Sequence, residues 1–365
     1  MSAPGSAVFL ERPVPGPRLV VLHFMSSLTL LIPGLLGSYA DIPRMEQPPF
    51  PALGTLVAKA AVRKFPVVSF YRTLCELFDL KQPPGGDLPI ASLSRLIDGL
   101  ETPAGTWMRA DPVHLAAGQS GLHLADASAL ALSQHDAIIL AAALEDFFKE
   151  HGWVLEVPLP DRWYIRLPRL PAVTTTELDR VVGRDIQPWL PVGDDQQVWR
   201  RLCNEIQILL HACDVNHARE RRGELPVNSL WFWGIGVLPE ILQRKWTRVY
   251  SDDPAAQGLA MLSGARFEAI PESLLAGVAG FDAMGNVLVA SATPPAGAIE
   301  HDFDNWLEAM QELDQRWFAP LLQALRDGAL GQVQIITDGH EFTLRRHSLL
   351  KFWRLRESIV DYLGG

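Results

Sequence analysis

Four short apolar runs, each broken off by a turn-forming or polar cluster, constrain this chain more than any other feature in it. Leu28-Thr-Leu-Leu-Ile32 runs into Pro33-Gly34, Ser229-Leu-Trp-Phe-Trp233 into Gly234-Ile-Gly236, Val287-Leu-Val-Ala290 into Ser291-Ala-Thr293, and Val333-Gln-Ile-Ile336 into Thr337-Asp338. Such runs read as strands buried on both faces. Between them, Val198, Leu202, Ile206, Leu209 and Cys213 mark one helix face, and Trp306, Met310, Leu313, Trp317 and Leu321 mark another. Strands alternating with helices predict an α/β sheet with crossover connections. Open sheets of that kind carry their sites at the carboxyl ends of the strands. The last strand therefore draws notice, because Asp338-Gly-His340 follows it and Arg345-Arg346-His347 comes soon after.

From residue 107 to 167 the rhythm changes. The pattern predicts strands over 107–115 and 121–124, a helix over 133–151 with Ser133 as its N-cap, and a strand over 153–167 whose prolines imply edges or bends. This is a smaller α+β unit set into the larger one, flanked by Thr102-Pro103-Ala-Gly105 and by a Pro- and Thr-rich stretch over 168–176. The expected organisation is a loose, proline-rich tail over 1–17, a larger unit from 18–105 and 171–365, and an inserted unit over 106–170.

A net charge of -10 argues against a nucleic-acid partner, which needs a concentrated basic face. The densest basic run, Arg219-Glu220-Arg221-Arg222, has an acid inside it and reads as a solvated helix end. Three scattered cysteines, Cys75, Cys203 and Cys213, do not make a disulfide framework and fit a reducing cytoplasm. The apolar stretch over 19–37 contains His23 and is interrupted by Pro33-Gly34; no basic cluster precedes it, and Glu11 does. It reads as a buried strand ending in a turn, with no membrane span and no signal peptide expected.

Smaller constellations have plainer readings. His211, Cys213 and His217 have the residue types for zinc but lack a fourth ligand. Trp231-Phe232-Trp233 has the look of a stacking platform but reads as a buried strand. Gly234-Ile-Gly236 lacks the third glycine and distant acid of a dinucleotide fingerprint.

The stretch from His211 to Gly236 contains Asn216-His-Ala-Arg219, then Gly223, then Asn228-Ser-Leu-Trp231-Phe-Trp233-Gly234-Ile-Gly236. In that order these motifs resemble the archaeal-type cofactor-independent phosphoglycerate mutases, and still more a related bacterial group labelled regulatory protein of the RpfE type. The resemblance is collinear over nearly the whole chain: Arg109-Ala-Asp-Pro-Val-His114 is similar to the opening of the mutases' inserted cap, and Asp338, His340 and His347 to their late metal ligands. It implies an alkaline-phosphatase-like α/β core with an inserted smaller α+β cap. It also implies two-metal phosphoryl transfer from a Ser or Thr nucleophile.

Measured against that pattern, much is missing. Pro33 stands where the first strand should end in a metal-bridging Asp, and Gly86 stands where the nucleophile should lie, in Pro84-Gly85-Gly86-Asp87. After Ala290 the expected Asp is absent, and Leu122-His123-Leu-Ala-Asp126 in the cap has no Arg for an anionic substrate. Asp338, His340 and His347 alone keep suitable types, as a partial or vestigial metal site, with Gly339 separating the first two. Ser92, Ser94 and Thr102 are substitute nucleophiles that read better as caps or turn hydroxyls; His301, Asp302 and Asp304 are substitute ligands that read better as a helix-dipole cluster.

The expectation is a degenerate, cytoplasmic, mutase-like protein that binds or regulates, with no cofactor and with an unknown protein partner or small phosphorylated ligand. The alternative is an active metal-dependent mutase or phosphatase that uses Mn²⁺ or Zn²⁺ on rearranged ligands.

Overall fold

The computed structural model describes residues 26–37, 50–80, 86–100, 104–118, 121–241, 243–277, 285–296, 298 and 303–351. The expected tail over 1–17, His23, Pro84, Gly85, Thr102, His301 and Asp302 lie outside the described residues. A seven-stranded sheet runs in the order β2 (Ala61–Lys64), β12 (His340–Arg345), β11 (Gln332–Thr337), β1 (Ser27–Leu31), β10 (Asn286–Ala290), β8 (Arg248–Tyr250), β9 (Arg266–Glu268). From β11 to β9 every pairing is parallel, while β12 is antiparallel to both its neighbours. Three of the four apolar runs, β1, β10 and β11, are thus adjacent at its centre, as strands buried on both faces should be.

The strand β12 was not expected, and its signal was in plain sight. Asp338-Gly339 is a two-residue hairpin turn: Thr337 pairs with His340 across it, and both central residues have positive φ, 37° and 75°. Asp-Gly between alternating apolar residues is a strong short-range hairpin signal. Asp338 and His340 therefore sit on a tight turn, not at the free end of a strand.

The fourth apolar run, β7 (Ser229–Gly236), belongs to a second sheet. There it pairs antiparallel with β3 (Thr106–Gly118), which also pairs with β4 (Gly121–Ala125) and β6 (Arg162–Leu167), and β6 pairs with β5 (Val154–Leu159). The single strand expected over 153–167 is thus a hairpin, β5 and β6. The strand β7 and the helix Gln196–His211 complete this sheet and its cover. A buried apolar run shows that it is sandwiched; it does not say between which sheets.

The strands alternate faces, and the molecule is layered accordingly. Leu28, Leu30, Val287, Val289, Val333 and Ile335 pack on the helices Pro51–Lys59, Phe303–Leu313 and Ala319–Asp327. On the opposite face, Leu31, Leu288, Ala290 and Ile336 pack on the helices Phe70–Leu77, Ile90–Ile97 and Pro254–Ser263, which also receive Trp231 and Trp233 of β7. The outer face of the second sheet, with Met108, Ile165, Leu230 and Phe232, is covered by the helices Gln134–Glu150 and Gln196–His211. Ser133 caps the former as expected, accepting from the Asp136 N–H at 3.1 Å. In the latter Trp199, Leu202, Ile206 and Leu210 are buried; of the expected face Leu202 and Ile206 are buried, Leu209 and Cys213 pack partly buried on the same core, and Val198 is exposed.

Candidate functional site

At the carboxyl edge of the parallel strands, β1 leads into the turn Pro33 to Leu36, and β11 into Asp338. The Asp338 carboxylate accepts the Gly34 N–H at 2.8 Å through Oδ1, and the Leu36 N–H at 3.1 Å and the Thr337 hydroxyl at 2.8 Å through Oδ2. It acts as the cap of the loop in which the resemblance would place a metal-bridging Asp. Pro33 has no ligating side chain, and Gly34 packs so tightly that an added Cβ would lie 2.8 Å from Cβ of Pro294. Aliphatic contact occupies that stretch of the edge.

The neighbouring polar groups have structural partners too. Ser251 Oγ donates to the Ala290 carbonyl at 2.6 Å, and Ser291 Oγ to the Thr293 carbonyl at 2.8 Å. Asp253 caps the helix Pro254–Ser263 through the Ala256 N–H at 2.9 Å and accepts the Tyr71 hydroxyl at 3.0 Å. Burial pushes the Asp253 carboxyl and the Tyr71 phenol up from their ordinary values.

The structure brings Asp338 and His340 together and leaves His347 apart. His340 is buried, its Nδ1 lies 3.0 Å from the Asp338 carbonyl, and its ring stacks on Phe342 at 5.9 Å. His347 is exposed in the short helical turn Arg346–Leu350, beyond the far end of β12. Five residue steps of extended chain lead from His340 to Arg345, a span of roughly 17 Å, and Arg345 pairs with Gln332 at the amino end of β11. Among the described residues, no three His, Cys, Asp or Glu side chains converge on a position for a metal ion. Among the described residues, the donors at this edge do not fit a two-metal centre.

Gly86 lies before the helix Ile90–Ile97, beside a cavity of about 630 Å³ that also takes in Asp87, Pro89 and Gly236. No residue of the 33–37 or 337–340 segments lines that cavity. Asp87 accepts the Thr175 N–H at 2.8 Å, the Thr175 hydroxyl, and the Ile235 N–H at 3.4 Å, and burial raises its pKa above the ordinary carboxyl value. It ties together three segments distant in sequence. Of the substitute nucleophiles, Ser92 Oγ donates to the Gly236 carbonyl at 2.7 Å, and Ser94 Oγ donates to the Ile90 carbonyl at 2.8 Å and lies 3.1 Å from the Tyr164 hydroxyl oxygen. Both are structural hydroxyls, and Asp304 sits in the first turn of its helix.

The smaller constellations resolve as structure. Trp231 and Trp233 are buried, donating to the Thr176 carbonyl at 2.9 Å and to Asp111 Oδ2 at 2.7 Å. Gly234, at φ 68°, sits where the β3–β7 register slips, as a bulge glycine. The His211 and His217 rings meet edge to face at 6.2 Å, and Cys213 precedes a helix as its N-cap.

What sequence reading missed is the buried pair Arg109 and Asp111. Asp111 accepts from Arg109 Nε at 2.9 Å, while the guanidinium lies 5.4 Å from the Tyr164 ring and 5.1 Å from the Trp233 ring. Burial is the largest influence and opposes the Arg109 charge, but Asp111 together with Tyr164 and Tyr71 more than offsets it and holds its pKa above the usual arginine value. Its only sequence signal was two opposite charges at i, i+2 in a strand, which share one face.

No protein-family profile matches the chain. The 2,3-bisphosphoglycerate-independent phosphoglycerate mutase of Methanothrix thermoacetophila is 28% identical over 185 residues, covering 46% of this chain and 47% of that protein. The protein of the same name from Methanosarcina mazei is 24% identical over 159 residues, covering 39% and 40%. The chain thus spans about half, or less, of the length of the curated relatives it matches. Among solved structures, the PH0037 protein of Pyrococcus horikoshii aligns over 89% of this chain and 88% of its own, with a TM-score of 0.53 at 14% identity. Over less than half of its length this chain is similar in sequence, at low identity, to archaeal-type cofactor-independent phosphoglycerate mutases, and its fold is an alkaline-phosphatase-like α/β core carrying a smaller α+β unit.

Proposed function

We propose that this mutase-like protein no longer carries out two-metal phosphoryl transfer and acts as a cytoplasmic binding or regulatory protein of the RpfE type. One observation carries the reading: the Asp338 carboxylate is engaged by the Gly34 and Leu36 N–H groups and the Thr337 hydroxyl. A metal would have to compete with these three donors for its lone pairs. Pro33, Gly86 and the distant His347 support the reading from three other directions. Asp338, His340 and His347 are then a vestigial set, of which the first two serve the hairpin.

The test is elemental analysis of the purified protein together with phosphoglycerate mutase and phosphatase assays in added Mn²⁺. The expected outcome is no stoichiometric Mn²⁺ or Zn²⁺ and no turnover. One or more ions per chain, with turnover abolished by His340→Ala, would replace this reading with an active enzyme on rearranged ligands.

A further inference from the structure

The cavity beside Gly86 has the properties of a ligand site of its own. Its walls come from the segment before the helix Ile90–Ile97, the start of β3, the exit of β7, and a strap made of residues 170–174 and 192–193. Its volume of about 630 Å³ is that of a drug-sized ligand pocket.

The strap is tied in place before any ligand arrives. Thr174 and Val192 exchange two backbone hydrogen bonds, at 2.8 and 3.1 Å, and Asp195 accepts the Ala172 N–H at 2.9 Å. Glycines allow the close approach: a Cβ at Gly193 would lie 2.3 Å from the Ala172 carbonyl oxygen, and one at Gly236 would lie 2.6 Å from Pro89 Cβ. Three aliphatic side chains from three loops, Leu170, Val192 and Val237, line this same cavity while remaining 67%, 56% and 58% exposed. Apolar surface left open around a preformed hollow marks a binding site more than a packing accident.

Charge narrows the class of ligand. Among the described lining residues there is no Lys, Arg or His, and the one ionisable group is Asp87. Among the described lining residues a buried phosphate or carboxylate would find no cation to pair with and would face the Asp87 carboxylate instead. We propose that this cavity binds an uncharged, predominantly apolar small molecule, and that it excludes phosphorylated acids. The proposal rests on the binding-protein reading and gives that reading a ligand class; the position that the resemblance gives to the nucleophile becomes part of an apolar wall.

The test is a fluorescence titration of the full chain with the neutral probe N-phenyl-1-naphthylamine. Saturable binding at one site per chain is expected, without displacement by millimolar 3-phosphoglycerate. Val192→Trp, placed at the mouth, should weaken binding at least tenfold, and Ile208→Trp, on an exposed helix position outside the cavity, should leave it unchanged. Circular dichroism and an unchanged melting temperature establish that both variants fold. Equal affinity of the two variants, more than one probe per chain, or competition by 3-phosphoglycerate would overturn the proposal, as would absence of binding. Turnover of 3-phosphoglycerate with bound Mn²⁺ would instead sink the lost-chemistry reading and leave the titration to judge the cavity.

Discussion

At the scale of single residues, Asp338 is placed to stabilise the fold where a metal ligand was expected. Asp338→Ala leaves the Gly34 and Leu36 N–H groups without their acceptor, at a cost of about 1–3 kcal/mol. A lowered denaturant midpoint checks this, and an unchanged midpoint would show that the carboxylate does not hold the turn. Cys75 offers a second prediction. Burial, helped by the charge of Asp253, pushes its thiol from the ordinary 9.0 up to about 12. The unfolded chain therefore releases this proton first as pH rises. The contribution is fully present below pH 9 and drains away toward pH 12, so stability should fall across that window. Unfolding midpoints of wild type and Cys75→Ala should differ in slope there; parallel curves would refute the assignment. The hold of Asp338 on the first-strand turn was not readable from sequence, since Gly34 and Leu36 lie about three hundred positions away.

Individual elements show where sequence patterning suffices and where it fails. The helix Pro51–Lys59 has no capping side chain of its own, because Phe50 occupies the N-cap. Its Ala52 and Leu53 N–H groups are instead accepted by Asp314, at 3.2 and 2.7 Å. Asp314 opens a π-helical turn, Asp314–Phe318, inside the long apolar-faced helix that the sequence predicts through Trp306, Met310 and Leu321. Asp314→Ala should cost about 1–2 kcal/mol, with faster amide exchange at residues 52–54; slow exchange there in the variant would argue against the cap. The helix itself was legible from its spacing, but the widened turn was not, because it answers to a distant partner. In β11 the strand was legible and the hairpin legible by rule, yet Asp-Gly admits both a turn reading and a ligand reading. Register with β12, not composition, decides between them. For β7, seven successive buried residues look the same whichever sheet receives them.

Over the whole molecule, the two sheets are held together by the helix Ile90–Ile97 and the residues that end it. Arg95 pairs with Glu156 at 2.6 Å, and Asp98 accepts from Arg162 at 2.6 Å and from the Tyr164 hydroxyl at 2.5 Å, all across to β5 and β6. Below, Gly258 lets the helix Pro254–Ser263 approach so near that an added Cβ would stand 2.3 Å from the Leu93 carbonyl oxygen. A layered core shared in this way should unfold as one unit. Asp98→Ala is expected to lower stability by up to about 3 kcal/mol, near the bottom of the range for a broken buried pair because Arg162 keeps some access to water. Calorimetry should find a single transition in wild type, and separate melting of the two sheets would contradict the shared core.

The central strand of the larger sheet adds a condition on how the molecule is made. Both neighbours of β1 are supplied by residues beyond 285, and among the described residues β2 pairs only with β12, whose last residue is Arg345. Contacts so distant along the chain must close very long loops before they return any free energy, which slows folding. While the chain is being synthesised, the two amino-terminal strands of this sheet, β1 and β2, have no partners to pair with. Its apolar strand waits, open to other partners, until nearly the whole described chain has left the ribosome.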